Sequence, residues 1–141
     1  MSTFAQELPS DLRTDTLYIC ERSIHTSFQV FTKMLDLSPE ELFMLKEIYS
    51  GYAEKFPVKG IIFIQSSVEE CLRRVRSRNH DSDELLSFEY LTKIQEKYME
   101  WFANTDFPVF FVSDLKIKKM STEEIISEAL EMFKNQKYNK V

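Results

Sequence analysis

Three short apolar runs alternate along the chain with longer stretches in which apolar residues recur every three or four positions. The runs are TLYIC at 16–20, GIIFIQ at 60–65 and PVFFV at 108–112, and such runs predict strands buried on both faces. The stretches between them are too long for hairpin turns, so the strands must be joined by crossover helices. The pattern therefore predicts an α/β fold with a parallel sheet.

The stretches between the runs carry the signals of helix starts. A serine followed three residues later by a glutamate is a capping box, and Pro39 is favoured at the first helical position. After Ser23, the apolar spacing predicts an amphipathic helix over about 24–35, and a longer helix is predicted over about 88–102. The capping boxes pair Ser38 with Glu41, Ser67 with Glu70, and Ser121 with Glu124, the last opening a helix to about 134.

Composition favours one globular domain over 1–141. Of the 141 residues, 43% are hydrophobic and 13% aromatic, which supplies a packed core. The formal net charge of -5 opposes binding to phosphate backbones, so we expect no nucleic-acid partner. No apolar run approaches the ~20 residues of a membrane span, so we expect no membrane partner.

The two cysteines bear on the compartment. Cys20 and Cys71 each lie within an apolar run, which predicts buried thiols rather than a disulfide. Buried free thiols fit a reducing environment, and the first residues show neither a transit-peptide nor a secretory pattern. We therefore expect a cytoplasmic location.

A pair of charges, Glu21 and Arg22, follows the first apolar run directly. The carboxyl ends of parallel strands form the edge of the sheet where ligands bind. Two adjacent charges at the end of a buried strand need solvent or a polar ligand to satisfy them, which favours a functional site. The alternative is a local ion pair that caps the following helix.

Four arginines lie within six positions near the end of a predicted helix, at 73, 74, 76 and 78. Arg74 and Arg78 share a helix face at the i, i+4 spacing, and this face could grip phosphate. The alternative is a solvated helix end, where cations favour the helix dipole. The polar loop that follows could close over a ligand, which makes 74–86 a candidate lid.

Three segments together resemble a known family. ERSIHTSFQVFTKML, GIIFIQSSVEECLRRVRSRNHDSDE and SFEYLTKIQEKYMEWF are similar, from about Tyr18 to Phe102, to the carboxyl-terminal half of the deoxynucleoside kinases of the deoxycytidine kinase and mitochondrial thymidine kinase type. A relative of the nucleoside monophosphate kinases would share the arginine-rich segment but explains ERS and EYL less well. The resemblance implies a P-loop-kinase-like three-layer fold with helices on both faces of a parallel sheet. It also implies ATP-dependent transfer of phosphate to the 5'-hydroxyl of a deoxynucleoside, with Mg²⁺.

The resemblance assigns roles to residues near the first run. Arg22 would steady the phosphoryl group and the catalytic base. Glu21 would help to organise the magnesium shell through water, and Phe31 would pack on the nucleobase of the substrate.

The lid receives the remaining roles by the same resemblance. Arg74 and Arg78 would close on the transferred phosphate, which makes them both catalytic and nucleotide-binding. Asp83 stands where a glutamate usually holds the sugar 3'-hydroxyl.

Parts of the family's pattern are not in this sequence. A phosphate-cradling loop needs G-x-x-x-x-G-K-[ST], whereas the two glycines here, Gly51 and Gly60, precede no Gly-Lys pair. The upstream strand with the catalytic carboxylate is also missing, and His80 replaces a third lid arginine. We expect a partial kinase domain that lacks the P-loop strand and holds the lid and base pocket. The alternative is a catalytically inactive remnant that binds a nucleoside or dimerises, and we expect a homodimer formed through the helices over about 24–35 and 88–102.

Overall fold

The computed structural model describes residues 15–78 and 86–138. The chain divides into two compact units, the amino-terminal unit Met1–Pro57 and the carboxyl-terminal unit Val58–Val141, and each is described by itself. The single domain expected from composition stays a prediction.

The first apolar run does not form the predicted strand. Residues 16–20 have no regular secondary structure, and Ile19 is 61% exposed. A strand exists only where a second strand pairs with its N–H and C=O groups, and the sheet in the described ranges contains the other two runs alone. The prediction of a buried thiol is consequently wrong for Cys20, which is exposed, whereas Cys71 is half-buried; both thiols are free.

The predicted helix after Ser23 exists, but its pitch changes along its length. It begins as α1 (Ile24–Thr26), continues as a π-helical turn (Ser27–Phe31) and ends in a 3₁₀ turn (Thr32–Met34). The Thr26 N–H donates to Ser23 Oγ at 3.4 Å, which satisfies one of the orphan donors at the helix start. A π turn is rare and shifts the side chains that follow it around the helix axis.

Helix α2 (Pro39–Lys55) completes the amino-terminal unit. Its capping box is confirmed, since the Glu41 N–H donates to Ser38 Oγ and the Glu41 carboxylate accepts from the Ser38 N–H. Tyr49 of α2 hydrogen-bonds His25 of α1, Oη to Nδ1 at 2.8 Å, and stacks on Phe28 with ring centroids 4.4 Å apart. Burial of the His25 imidazole lowers its pKa from 6.5.

The carboxyl-terminal unit is built on two parallel strands, as predicted. Strand β1 (Ile61–Gln65) pairs in register with β2 (Val109–Ser113). Helices α3 (Val68–Arg78) and α4 (Phe88–Ala103) lie between them in sequence and supply the predicted crossover. The α/β class is confirmed, while the three layers with helices on both faces stay a prediction.

Two further helices follow β2. The short α5 (Asp114–Lys119) was not expected from the sequence and is capped by Ser113, whose Oγ accepts from the Lys116 N–H at 3.3 Å. Helix α6 (Thr122–Tyr138) begins with the predicted capping box of Ser121 and Glu124. Across the two described ranges, none of the helices has both the length and the apolar character that a membrane crossing requires.

A cluster of aromatic side chains packs around the buried Trp101 in the carboxyl-terminal unit. Trp101 of α4 and Val112 of β2 are buried, and Gly60 lies so close to α6 that a Cβ at this position would sit 2.5 Å from the Phe133 ring. The buried Trp101 indole therefore belongs to the core rather than to a base-stacking surface. The ring cluster consists of Phe63, Tyr98, Trp101, Phe102 and Phe111.

Candidate functional site

A strained turn carries the first pair of predicted site residues. Glu21 and Arg22 are both exposed and follow the irregular segment 16–20. Arg22 has φ 64°, in the left-handed region, which costs a residue with a Cβ about 1–2 kcal/mol. Strain of this kind concentrates at ligand-binding positions, where the surrounding structure holds it. The turn therefore marks Arg22 as a candidate site residue independently of its charge.

The same turn brings two predicted site residues together. The Arg22 guanidinium lies over the Phe31 ring, with Cζ 5.4 Å from the ring centroid. This is within the range of a cation–π contact. The half-buried Phe31 ring belongs to the π turn, so the irregular helix determines where this ring lies. A planar ligand that stacks on Phe31 would therefore either take the opposite face of the ring or displace the guanidinium.

The second pair of predicted residues, Arg74 and Arg78, lies on one face of α3. Arg74 is engaged in three directions: Nη2 donates to Asp114 Oδ1 at 3.0 Å, Nη1 to Ser66 Oγ at 3.2 Å, and Nε to Glu70 Oε1 at 2.8 Å. Its side chain is nevertheless 46% exposed. Arg78 is exposed and ends α3.

The cluster around Arg74 contains equal numbers of both charges. Glu70 accepts from Arg73 as well, Nε to Oε2 at 2.7 Å and Nη2 to Oε1 at 2.7 Å. Hydrogen bonds from Arg73 and then Arg74 lower the pKa of Glu70 from 4.5 to about 2. A hydrogen bond from Ser66 and, with a smaller effect, one from Arg74 lower the pKa of Asp114. Hydrogen bonds to Asp114 and, with a smaller effect, to Glu70 raise the pKa of Arg74. Two carboxylates thus offset two guanidiniums at neutral pH.

Sequence reasoning missed three members of this cluster. Ser66 directly follows β1 and Asp114 directly follows β2, and the Ser66 hydroxyl donates to Asp114 Oδ1 at 2.8 Å. The carboxyl ends of parallel strands meet at one edge, so this rule would have placed them together. Glu70 stands four residues before Arg74, a spacing that favours a pair on a helix. At the helix start, Glu70 was expected to complete a capping box; only the Ser67 half is observed, with the Glu70 N–H donating to Ser67 Oγ at 3.2 Å.

The remaining site predictions divide between the units. Glu21, Arg22 and Phe31 belong to the amino-terminal unit, and Arg74 and Arg78 to the carboxyl-terminal unit. Asp83 and positions 79–85 of the predicted lid lie outside the described residues. Within 15–78 and 86–138, no group of three histidine, cysteine or acidic side chains is arranged to hold a metal ion.

Comparison with known proteins identifies the family. The family model for deoxynucleoside kinases matches residues 1–134. The chain is 23% identical over 116 residues to a mitochondrial deoxyguanosine kinase from Xenopus laevis, a match that covers 75% of this chain and 44% of the relative. It is 31% identical over 52 residues to a deoxycytidine kinase from Rattus norvegicus, covering 37% of this chain and 20% of the relative.

The chain belongs to the deoxynucleoside kinase family, because the family model matches nearly its whole length. The resemblance read from the three sequence segments is thereby confirmed, and the nucleoside monophosphate kinase reading is set aside. The matched region spans less than half the length of these curated relatives.

Proposed function

We propose that this chain supplies the lid and base-pocket half of an ATP-dependent deoxynucleoside kinase, which transfers a phosphoryl group to the 5'-hydroxyl of a deoxynucleoside. Family membership supports the reaction class. The observation that carries the proposal is the contact of Arg22, on its left-handed backbone, with the Phe31 ring. It joins the residue assigned to the phosphoryl group with the residue assigned to the base.

Each site residue has a defined task in this proposal. Phe31 stacks on the nucleobase, and Arg22 beside it stabilises negative charge near the 5'-hydroxyl. Arg74 and Arg78 contact the phosphates of the donor, and Asp83 holds the 3'-hydroxyl of the sugar. Phosphoryl transfer requires mainly positioning and electrostatic stabilisation, which guanidiniums on rigid elements provide.

The residues fit ATP and Mg²⁺ in part. Arg74 and Arg78 suit the donor phosphates, but the glycine-rich motif that surrounds a β-phosphate is not in this sequence. Mg²⁺ keeps several waters and takes few protein carboxylates, so the exposed Glu21 suits an indirect role. ATP supplies the transferred group, and Mg²⁺ offsets charge on its phosphate oxygens.

A binding experiment tests the base pocket first. Titration calorimetry with deoxythymidine and deoxycytidine would compare the chain with Phe31→Ala and with the control Phe43→Ala, which removes an exposed ring of α2. Base–aromatic stacking amounts to about 1–3 kcal/mol per base, so Phe31→Ala should weaken binding roughly tenfold. Equal affinity of both variants would remove the pocket assignment.

A phosphotransfer experiment tests the half-enzyme. With radiolabelled ATP, the chain alone should show no transfer above background. Co-expression with a family amino-terminal half that contains the P-loop and the catalytic carboxylate should restore transfer, and Arg22→Ala should abolish it. A well-folded chain that ignores the added half would contradict the proposal.

The alternative is an inactive member of the family that binds a nucleoside or dimerises. The observation in its favour is the apolar surface on the helical segments, where Leu35 and Phe88 are exposed. Both alternatives include a homodimer formed through the regions around 24–35 and 88–102. Light scattering across a concentration series tests the dimer, and the co-expression assay separates the half-enzyme from the inactive form.

A further inference from the structure

The Arg74 guanidinium is surrounded by acceptors where a donor phosphate would be expected. Ser66 and Asp114 lie just beyond the carboxyl ends of the two paired strands, the edge at which ligands of parallel sheets bind. Asp114 Oδ1 accepts from both Ser66 and Arg74, and Glu70 accepts from Arg74 Nε. These oxygens accept hydrogen bonds from the same Arg74 N–H groups that would bind a phosphate.

The contacts of Arg74 differ in kind. Glu70 is a helix neighbour at i, i+4 and moves with Arg74. Asp114 is 40 positions away and belongs to a separate element, so its contact with Arg74 fixes α3 to the end of β2. Arg74 is also part of a cluster whose charges cancel, which leaves little net attraction for an approaching anion. Asp114 is the member that an anion has to displace.

We propose that Asp114, held by Ser66, is a built-in competitor for Arg74 and determines how tightly this arginine binds a polyphosphate. The inference rests on the proposed role of Arg74 as a phosphate ligand. A polyphosphate brings several charges and displaces one carboxylate, whereas a small anion does not. Asp114 therefore keeps Arg74 occupied until a multiply charged ligand arrives.

Titration of the full chain with inorganic tripolyphosphate at neutral pH and low salt tests this directly. Asp114→Asn keeps the size of the side chain and removes its charge, and it should tighten binding about tenfold, the effect of losing one charge-assisted competitor. The matched control is Glu89→Gln, which removes the same charge from a 78%-exposed side chain of α4. The control should change affinity less than about twofold.

Variants at Arg74 separate the possible failures. If Arg74→Ala cancels the gain of Asp114→Asn, the competitor role is supported; if the gain persists without Arg74, the effect is one of net charge and the inference is overturned. Equal affinity for Asp114→Asn and Glu89→Gln, or weaker binding for Asp114→Asn, overturns it as well. If Arg74→Ala leaves the affinity of the wild-type chain unchanged, Arg74 is not a phosphate ligand and the proposed function fails at this residue.

A second variant keeps the test decisive if Asp114→Asn does not fold, as judged by Trp101 fluorescence. Ser66→Ala removes the hydroxyl that holds Asp114 and should tighten tripolyphosphate binding about threefold, since a neutral hydrogen bond contributes less than a charged one. No gain in a folded Ser66→Ala variant would overturn the inference.

Discussion

Residues 16–20 and strand β1 are nearly equivalent as sequence, yet only one of them is a strand. Both are short apolar runs with polar residues at or directly after their carboxyl end. Strand β1 pairs with β2 over five residues, whereas 16–20 is not part of the sheet that the described residues form, and Ile19 is 61% exposed. An apolar run thus becomes a strand only when a second strand satisfies its backbone groups.

The two candidate arginines that follow these segments also differ, both in backbone conformation and in the contacts of their guanidiniums. Arg22 stands in a strained turn and contacts an aromatic ring. Arg74 stands in a regular helix and is held by two carboxylates and a hydroxyl. The paired strands bring Ser66 and Asp114 to Arg74, whereas Arg22 follows a segment outside the described sheet and contacts the Phe31 ring. Sheet pairing therefore supplies Arg74 with two of its three partners, while Glu70 comes from its own helix.

The largest expected effect contrasts residues 16–20 with the paired sheet, here represented by β2. Val112→Asp buries an unpaired carboxylate in β2 and should lower the free energy of unfolding by more than about 4 kcal/mol. The matched change Ile19→Asp lies on an exposed segment and should alter it by less than about 0.5 kcal/mol. Trp101 fluorescence during denaturant unfolding measures the first, and circular dichroism measures the second. A comparable loss in both variants would mean that 16–20 is packed after all.

The two glycines give the next effect. Gly60→Ala places a Cβ against the Phe133 ring and should lower the free energy of unfolding by about 1–3 kcal/mol. Gly51→Ala meets open space inside α2 and should raise it by about 0.5–1 kcal/mol, because alanine loses less entropy in a helix. Thermal unfolding of both variants provides the measurement. A neutral Gly60→Ala would show that the Phe133 ring moves aside at little cost.

A smaller effect sharpens the comparison of the arginines. Arg22→Gly relieves the left-handed backbone, whereas Arg22→Ala keeps the strain, so the glycine variant should be about 1 kcal/mol more stable than the alanine variant. Both variants lose the contact with Phe31, which cancels in the comparison. Thermal unfolding followed by circular dichroism decides the point, and equal stability would argue that the turn relaxes in solution.

The smallest expected effect concerns the decrease in stability at acid pH. The folded pKa of Glu70 lies near 2, below its ordinary 4.5, so the unfolded chain binds more protons than the folded chain between these values. The stabilising contribution is complete above pH 4.5 and is lost as the pH falls towards about 2. Glu70→Gln should therefore flatten the decline of the unfolding temperature over this range. The same flattening in Glu89→Gln would mean that the salt bridges with Arg73 and Arg74 are not its source.

Local signals account for the parts of the fold that the sequence predicted. The capping box at Ser38 and Glu41 and the long helix α4 depend on residues within a few positions of each other. Helix α5 was missed because its six residues, DLKIKK, are too few for an apolar period, and a single cap at Ser113 begins it. The prediction of a strand at 16–20 was wrong because strand formation depends on a partner elsewhere in the chain.

The same distinction between local and long-range determinants holds for the candidate site. The charges of Arg22 and Arg74 were visible in the sequence together with their spacing, but the contacts that distinguish them were not. The partner of Arg74 in α5 is 40 positions away, and the left-handed backbone of Arg22 has no residue-type signal, since glycine would be expected there. Long-range pairing and local strain are both outcomes of the whole fold.

The crossover between the two parallel strands also has a consequence during synthesis. Ser66 and Asp114, at the ends of β1 and β2, are 48 positions apart. At 5–20 residues per second, a ribosome needs roughly 2 to 10 seconds to deliver the second strand after the first. During that interval the apolar segment 61–65 has no β2 to pair with, so its backbone groups can pair with other nascent chains. The chain should therefore depend on chaperones that shield apolar segments until β2 has left the exit tunnel.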